Sequence, residues 1–528
     1  MKFTDASSTG WTLKVICSPD DKRDVAALIT FDNTRAQLSR LTPEQEKLVR
    51  EATTVYAPGY RYAPLYKKRD SKGNRVWDGK VRALSRELYF DAGFVPFVAA
   101  LLGEVQLDDR RYLKQLRAKT DIDHGLRDYQ FEALMKALGT TYMGMWWPRG
   151  VIQIPTGGGK TKLAAAMIRV TRGVRTIFIV PSADLVDQTR EEFQDNGIDT
   201  GTVEESEIIG SRDVVVCTVQ SLMWWAMGSP ATPKEDESPE EFQERALLRA
   251  AELAERRGRG EEIRRYLSSV EQAFIDEAHS AAANDQNKGN LFVQAMRLMN
   301  CAYMRWGLSA TPFMREEYHN WLLEGVAGQL LFKISTKQLV DAGILARPKI
   351  TMVRCRPLVI PEKWETATEL GIVMNNARNE KVVDILQQAP GGLAAALIQE
   401  VSHGRIIESI CVGRGMHVEY LYGPISKRRR KEVWEAFTAN EIHAVIASRI
   451  GDQGLNIPAI KTLVIAGGGK SKVKTIQRLG RALRRTSTKT EVYVWDFIDV
   501  ATPHLYRHSM ARRKTYLDEG HDVTECEL

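Results

Sequence analysis

The chain has 528 residues, 43% hydrophobic and 27% charged, a balance ordinary for a soluble protein of about three domains. No apolar run approaches the ~20 residues needed to cross a bilayer, and the opening Met1-Lys2-Phe3-Thr4-Asp5 lacks the charged-then-apolar order of a secretory leader, so a cytoplasmic protein with no membrane partner is expected. The net charge of +7 is slight for this length, and Cys17, Cys217, Cys301, Cys355, Cys411 and Cys526 form no Cys-x-x-Cys pair, which argues against a disulfide framework or a zinc site.

Residues 1–115 read as a small α+β domain, with strands predicted at Thr12–Ile16 and Val76–Arg82 among polar loops. Between Arg61 and Arg82 stand eight basic and two acidic side chains, and Tyr56, Tyr60, Tyr62, Tyr66 and Trp77 are interleaved with them. Cations with aromatics suit a phosphate backbone and exposed bases, making Lys67, Lys68, Arg69, Lys80 and Arg82 candidate nucleic-acid contacts; a solvated loop is the alternative.

From Asp121 onward, short β-branched runs alternate with helical patterns, the mark of parallel sheets with helices on both faces. Strands are predicted at Val151–Ile154, Thr176–Val180, Asp213–Thr218 and Ala273–Ile275, within a domain spanning 116–342. A charged helical insertion at about 233–270 opens on Ser238-Pro239-Glu240-Glu241, a capping box with proline at the first helical position. Its narrow apolar stripe (Phe242, Ala246, Ala250, Leu253) predicts a solvated hairpin, with a DNA-contacting or regulatory arm as the alternative. After Gly343–Pro348, a predicted link, the pattern repeats over 343–528 with strands at Ala394–Val401, His417–Leu421, His443–Ser448, Thr462–Ala466 and Glu491–Phe497. The fold class is α/β: two tandem domains of parallel sheet plus the small N-terminal unit.

The chemistry sits in short segments along this frame. In Leu126-Arg127-Asp128-Tyr129-Gln130 the Gln130 amide, donor and acceptor together, suits an adenine edge, with Arg127 beside it. Pro155-Thr156-Gly157-Gly158-Gly159-Lys160-Thr161 follows a strand and opens a helix. Its glycines bare backbone N–H groups for phosphate oxygens, Lys160 reaches the β/γ-phosphates and the Thr161 hydroxyl suits Mg²⁺, so ATP and Mg²⁺ are the expected cofactors. Asp276 and Glu277 end an apolar strand; the first suits the metal and the second orients and deprotonates water. His279, Ser309 and Thr311 are candidate coupling residues. Arg481 and Arg484, at i, i+3, can aim at one γ-phosphate, with Gln477 and Arg478 across the cleft. Ser448 and the turn Gly454-Leu455-Asn456-Ile457-Pro458 suit backbone and ribose contacts. Lys427–Lys431 is either a solvated helix start or a phosphate contact. Gly467-Gly468-Gly469-Lys470-Ser471 mimics a second phosphate loop but lacks a following acidic dyad, and reads better as a tight turn.

Together these segments resemble the superfamily 2 helicases from Leu126 to Phe497. On that resemblance, Val180–Gln188 (with Pro181, Ser182 and Gln188) and Thr218–Leu222 (with Thr218 and Gln220) correspond to DNA-contacting motifs, and Asn456 stands where the family usually has Asp. The resemblance implies two RecA-like domains that close on ATP and step along a strand. Trp77–Arg82, Asn375-Asn376-Ala377-Arg378-Asn379 and Val401-Ser402-His403-Gly404 are similar to the bacteriophage UvsW-type helicases, relatives of the RecG and XPB groups. That family implies a branched-DNA substrate, unwound or branch-migrated in replication, recombination or repair, with single-stranded-DNA-binding or recombination proteins as candidate partners and a monomer as the working state. Two rival readings stand beside it: the motor subunit of a restriction or defence complex, and an RNA-stimulated, ATP-gated clamp that opens duplexes without stepping.

Overall fold

The computed structural model describes residues 26–57, 59–70, 73–114, 125–203, 212–227, 243, 257–280, 290–313, 317–356, 366–389, 393–423, 425–448, 460–486 and 489–528. The predicted strand Thr12–Ile16 and the capping box at Ser238 lie outside them.

Two all-parallel seven-stranded sheets organise the chain. The first runs, in spatial order, Thr200–Gly201, Val214–Thr218, Thr176–Val180, Gln272–Asp276, Met304–Ser309, Arg149–Gln153 and Leu330–Lys333. The second runs Val418–Leu421, Ala444–Ala447, Ala394–Leu397, Thr462–Ile465, Glu491–Asp499, Arg347–Cys355 and Val523–Glu527. Their continuous apolar runs are explained by burial on both faces: Val151, Ile177, Val215 and Ile275 pack on one side of the first sheet, Ile152, Phe178, Val216 and Phe274 on the other. Ligands of such sheets sit at the carboxyl ends of the strands, where Asp276, Thr218 and Ser309 stand.

Three expectations are corrected. The strand predicted at Ala394–Val401 stops at Leu397, because Val401 begins a helix, Val401–Gly413. Only Lys80–Arg82 of Val76–Arg82 is strand. The described end of the insertion, helix Arg257–Ser269, is no solvated hairpin: Ile263, Tyr266 and Leu267 are buried in the first domain's core, and Arg264 Nη1 donates to Ala226 O at 2.7 Å. In the link after Gly343, Leu345 and Ala346 are buried and strand Arg347–Cys355 starts at once.

The N-terminal unit is a four-stranded sheet ordered Tyr89–Asp91, Arg35–Ser39, Ala27–Phe31, Val105–Asp109, packed by helices Pro43–Ala52 and Val95–Leu102. It is clamped to the first parallel-sheet domain. Arg149 Nη2 donates to Asn33 O at 2.9 Å, Asn33 Nδ2 donates to Asn300 O at 3.1 Å, and Arg297 grips Asp91 through two bonds of 2.8 and 2.7 Å. The Arg111 guanidinium lies 5.5 Å from the Phe31 ring and 4.6 Å from that of Trp147. A Cβ on Gly93 would fall 2.1 Å from Glu324 O, so only glycine permits this approach. No helix among the described residues is long and apolar enough to cross a membrane.

Candidate active site

The strand Arg149–Gln153 delivers the chain to Gly157 and Gly159, which hold φ of 82° and 78°, and helix Lys160–Val170 begins immediately after. These left-handed positions need glycine, and a Cβ on Gly159 would meet Gln130 Nε2 at 2.4 Å. Gln130 is the brace for this loop. Its Nε2 donates to Gly158 O and Gly159 O at 3.1 and 3.0 Å, its Oε1 accepts from Arg127 N at 3.0 Å, and the Tyr129 hydroxyl also donates to Gly158 O. The expectation that Gln130 reads an adenine edge is therefore corrected: the buried amide is spent on the chain, and Arg127 is exposed.

Asp276 closes strand Gln272–Asp276, and Glu277 follows in a left-handed conformation, φ 47°, unusual for a side chain of this size. Burial first, then the neighbouring Glu277 charge, pushes the Asp276 carboxyl above its ordinary range, with Lys160 opposing the shift. Asp276 Oδ1 is shut from solvent without a hydrogen-bond partner. From Glu277 a polar chain runs through every predicted coupling residue of this domain. Lys160 Nζ lies 3.7 Å from Glu277 Oε1, His279 Nδ1 is 3.3 Å from Glu277 Oε2 and 3.1 Å from Ser309 Oγ, and Ser309 Oγ accepts from Thr311 N at 3.1 Å.

The second domain completes the pocket. A Cβ on Gly157 would lie 3.0 Å from Arg484 Cγ, and one on Gly480 2.9 Å from Thr156 Cβ, so the arginine-bearing segment rests directly on the phosphate loop. Glu192, on helix Ala183–Asp195, had no signal in the sequence. The Thr161 hydroxyl hydrogen-bonds it and the Arg484 charge faces it, both opposing the rise in pKa that burial imposes on its carboxyl. Arg478, on helix Lys472–Ala482, is buried at 6% exposure, and its charge acts on Tyr516 of helix Pro503–Asp518. Gly454 and Asn456 lie outside the described residues, as do the side chains of Gln477 and Arg481, whose backbone is in helix Lys472–Ala482.

The glycine turn Gly467–Gly469 is held from beneath. Arg512 Nη1 donates to Gly469 O at 2.6 Å while its Nη2 and Nε grip buried Asp496 at 2.9 Å each. This ties the turn, and the arginine helix after it, to the last core helix. Two of the three segments carrying the narrower resemblance, Asn375–Asn379 and Val401–Gly404, also meet inside this core: Arg378 Nε donates to Asp499 Oδ1 at 2.7 Å, and His403 Nε2 lies 2.9 Å from Asn379 Oδ1. Their role here is packing.

Of the predicted nucleic-acid contacts, Pro181, Ser182 and Gln188 are half-buried and Gln220 is exposed. Thr218 and Ser448 are 7% and 6% exposed, and the Thr218 hydroxyl accepts from Ser221 N at 3.0 Å, which leaves its own O–H to donate. Pro181, Ser182, Thr218 and Ser448 stand at carboxyl ends of strands, whereas Gln188 and Gln220 lie on the helices that follow, Ala183–Asp195 and Val219–Met227. Lys67, Lys68 and Arg69 are exposed, Lys80 is half-buried, and Arg82 pairs with Asp78. In Lys427–Lys431, Arg428 and Arg429 pair within their own domain, but Arg430 Nη1 reaches Asp184 Oδ2 of the first domain at 2.9 Å.

The family "Type III restriction enzyme, res subunit" matches residues 123–314, and "Helicase conserved C-terminal domain" matches 377–486. The ATP-dependent DNA helicase UvsW of Enterobacteria phage T4 is 21% identical over 524 residues, covering 89% of this chain and 93% of that protein. Helicase 22 of a Sulfolobus islandicus filamentous virus is 24% identical over 46% of this chain, and the match spans 45% of the viral protein. The DNA 3'-5' translocase XPB2 of Sulfurisphaera tokodaii is 22% identical over 74% of this chain and 84% of its own length. Among solved structures, an HsdR subunit fragment of a type I restriction enzyme from Vibrio vulnificus aligns over 77% of this chain and 72% of its own, with a TM-score of 0.53 and 16% identity, a likeness of fold. With both helicase domains matched in order, two RecA-like sheets, and a phosphate loop facing a DEAH strand end, this chain belongs to the superfamily 2 helicases and is a helicase-type ATPase.

Proposed function

We propose that the chain is an ATP-driven DNA translocase that remodels branched DNA such as forks and four-way junctions. The observation that carries the motor reading is Arg484, delivered by the second domain onto Gly157 of the first, because hydrolysis in the cleft then reports directly on whether the domains are closed. For the branched substrate, the support is similarity to T4 UvsW across nearly the whole chain, N-terminal unit included.

The backbone of Gly157–Gly159 and Lys160 bind the phosphates, and Glu277 orients a water and accepts its proton. Arg484, with Arg481, stabilises charge on the transferring group. Thr161 and Asp276 fit a divalent cation: the orphaned, buried Asp276 Oδ1 is what a hard cation satisfies, and bound Mg²⁺ neutralises phosphate charge. His279 and Ser309 carry a change at Glu277 to Thr311, and so toward the strand ends that face nucleic acid.

The test compares ATPase stimulation by single strand, duplex, four-way junction and RNA at equal nucleotide concentration and fixed salt, with Glu277→Gln as the blank. Strongest stimulation by the junction supports the proposal; stimulation by RNA alone overturns the substrate. The restriction-motor reading is favoured by the family matched at 123–314. It is distinguished by a co-purifying nuclease or methylase partner and by stimulation that tracks duplex length irrespective of branching.

A further inference from the structure

The N-terminal unit exposes aromatic rings that its own core does not use. Tyr56 and Tyr62 are 55% and 82% exposed, while Phe31, Phe90 and Phe94 fill the core beneath the sheet. Tyr56 is not randomly displayed. Its ring stacks on Tyr60 at 4.7 Å between centroids and 25° between planes, and Tyr60 in turn meets Tyr66 edge-on at 4.9 Å. The column is buttressed at its far end by the Arg75 guanidinium, 3.8 Å from the Tyr66 ring centre. Backbone holds it as well: Gly79, at φ 80°, lies so close under Tyr60 that a Cβ there would come within 2.4 Å of the ring. The column therefore exists before any ligand arrives, so adding one more ring costs little ordering.

Beside Tyr56 opens a cavity of about 590 Å³, lined among others by Lys47, Arg50, Glu51, Val55 and Lys80. Arg50 is committed to Glu46, Ser85 O and Arg86 O, and Arg82 to Asp78. Lys47 and Lys80 make no ion pair with a described residue, and Lys80 Nζ sits 5.4 Å from the Tyr56 ring centre. An aromatic face, two ammonium groups and a carboxylate around one nucleotide-sized space match a base, its phosphate and its exocyclic amine.

We infer that this cavity holds one unpaired nucleotide of a nucleic-acid strand, its base stacked on Tyr56 and its phosphate met by Lys80 and Lys47. A paired base inside a duplex has no free face to offer, so the pocket selects single strand or a strand opened at a branch. Because the unit is clamped to the first ATPase domain through Arg149, Asn33 and Arg297, the held nucleotide stays fixed relative to the phosphate loop while the second domain moves. This rests on the nucleic-acid reading under Proposed function and names a ligand that reading does not.

The test measures equilibrium binding of the full chain, without ATP and at fixed salt, to a labelled DNA single strand, the matching RNA single strand and a blunt DNA duplex. Tyr56→Ala should weaken single-strand binding about tenfold, Tyr56→Trp should restore it, and duplex binding should change less than about twofold. Tyr56 dependence with either sugar supports the pocket, and the arm showing it names the strand. Equal losses on duplex and single strand, no loss at all, or failure of Tyr56→Trp to rescue while both variants melt like the parent overturns the inference. Should no DNA stimulate the parent's ATPase, the proposed function falls, yet this comparison still reads the pocket.

Discussion

The first ATPase domain touches its two neighbours in opposite ways. Toward the N-terminal unit it buries Arg149 to 1% exposure, meets Asp91 with a two-bond guanidinium grip, and closes backbone on backbone at Gly93. Toward the second domain it offers polar links, Arg430 with Asp184 and Thr336 with Glu519 at 3.3 Å, beside an apolar contact in which Leu339, with Ile334 and Tyr129 against it, packs into the second domain's core. Surface ion pairs of the second kind are worth about 0 to 1 kcal/mol each, and breaking them leaves both partners in water. Separating the first interface strands desolvated backbone and guanidinium groups. The first joint is sealed by buried backbone and guanidinium groups, whereas the second combines exposed ion pairs with one apolar patch at Leu339.

That contrast can be broken at graded cost. Lys160→Ala or Glu277→Gln, which strike the cleft chemistry, should abolish ATP turnover by at least about a hundredfold while the protein remains folded by circular dichroism. Arg484→Ala should reduce turnover about as severely with ATP binding largely retained, a split that steady-state kinetics and nucleotide titration will show. Gly93→Ala should cost about 1 to 3 kcal/mol through overpacking at the rigid joint, seen as a lower melting temperature. Exchanging the charges at Arg430 and Asp184 singly should change closure by no more than about 1 kcal/mol, and the double exchange should recover it; interdomain energy transfer between fluorophores is the readout.

Acid acts on the second domain. Burial lowers His403 to about 3 and His521 to about 4, so each is neutral when folded and protonated more readily when unfolded. The unfolded state thus binds more protons between the ordinary histidine value, about 6.5, and these lowered ones. Stability is full above that window and is lost as pH falls through it, and the loss falls on the second domain. Replacing His403 with Gln should flatten the acid limb of a melting-temperature profile over pH 6.5 to 4.

Much of the motor was legible because its signals are local. Three glycines before Lys160 and two carboxylates after an apolar strand each declare a backbone shape within a few residues, whereas the expected shared helix face of Arg481 and Arg484 is not formed: helix Lys472–Ala482 ends before Arg484, which bridges to Leu345. The misses share the opposite character. Gln130 looked free because its sequence neighbours leave it so, yet the loop it braces lies 28 and 29 residues away. Glu192 is one acid among several on a surface-patterned helix, and nothing nearby distinguishes the one that faces Thr161. Arg478 repeats the spacing of its neighbours, and nothing in that spacing marks it as the buried one.

Hydrophobic periodicity and the steric demands at glycine act over short stretches, so the two parallel-sheet domains, the phosphate loop and the carboxylate pair are already written in the order of residues. Which polar groups are already satisfied, which joint is sealed by buried groups and which tyrosine face stays open emerge when the chain is folded. Those are properties of contacts between distant segments, and desolvation, not local propensity, sets their strength.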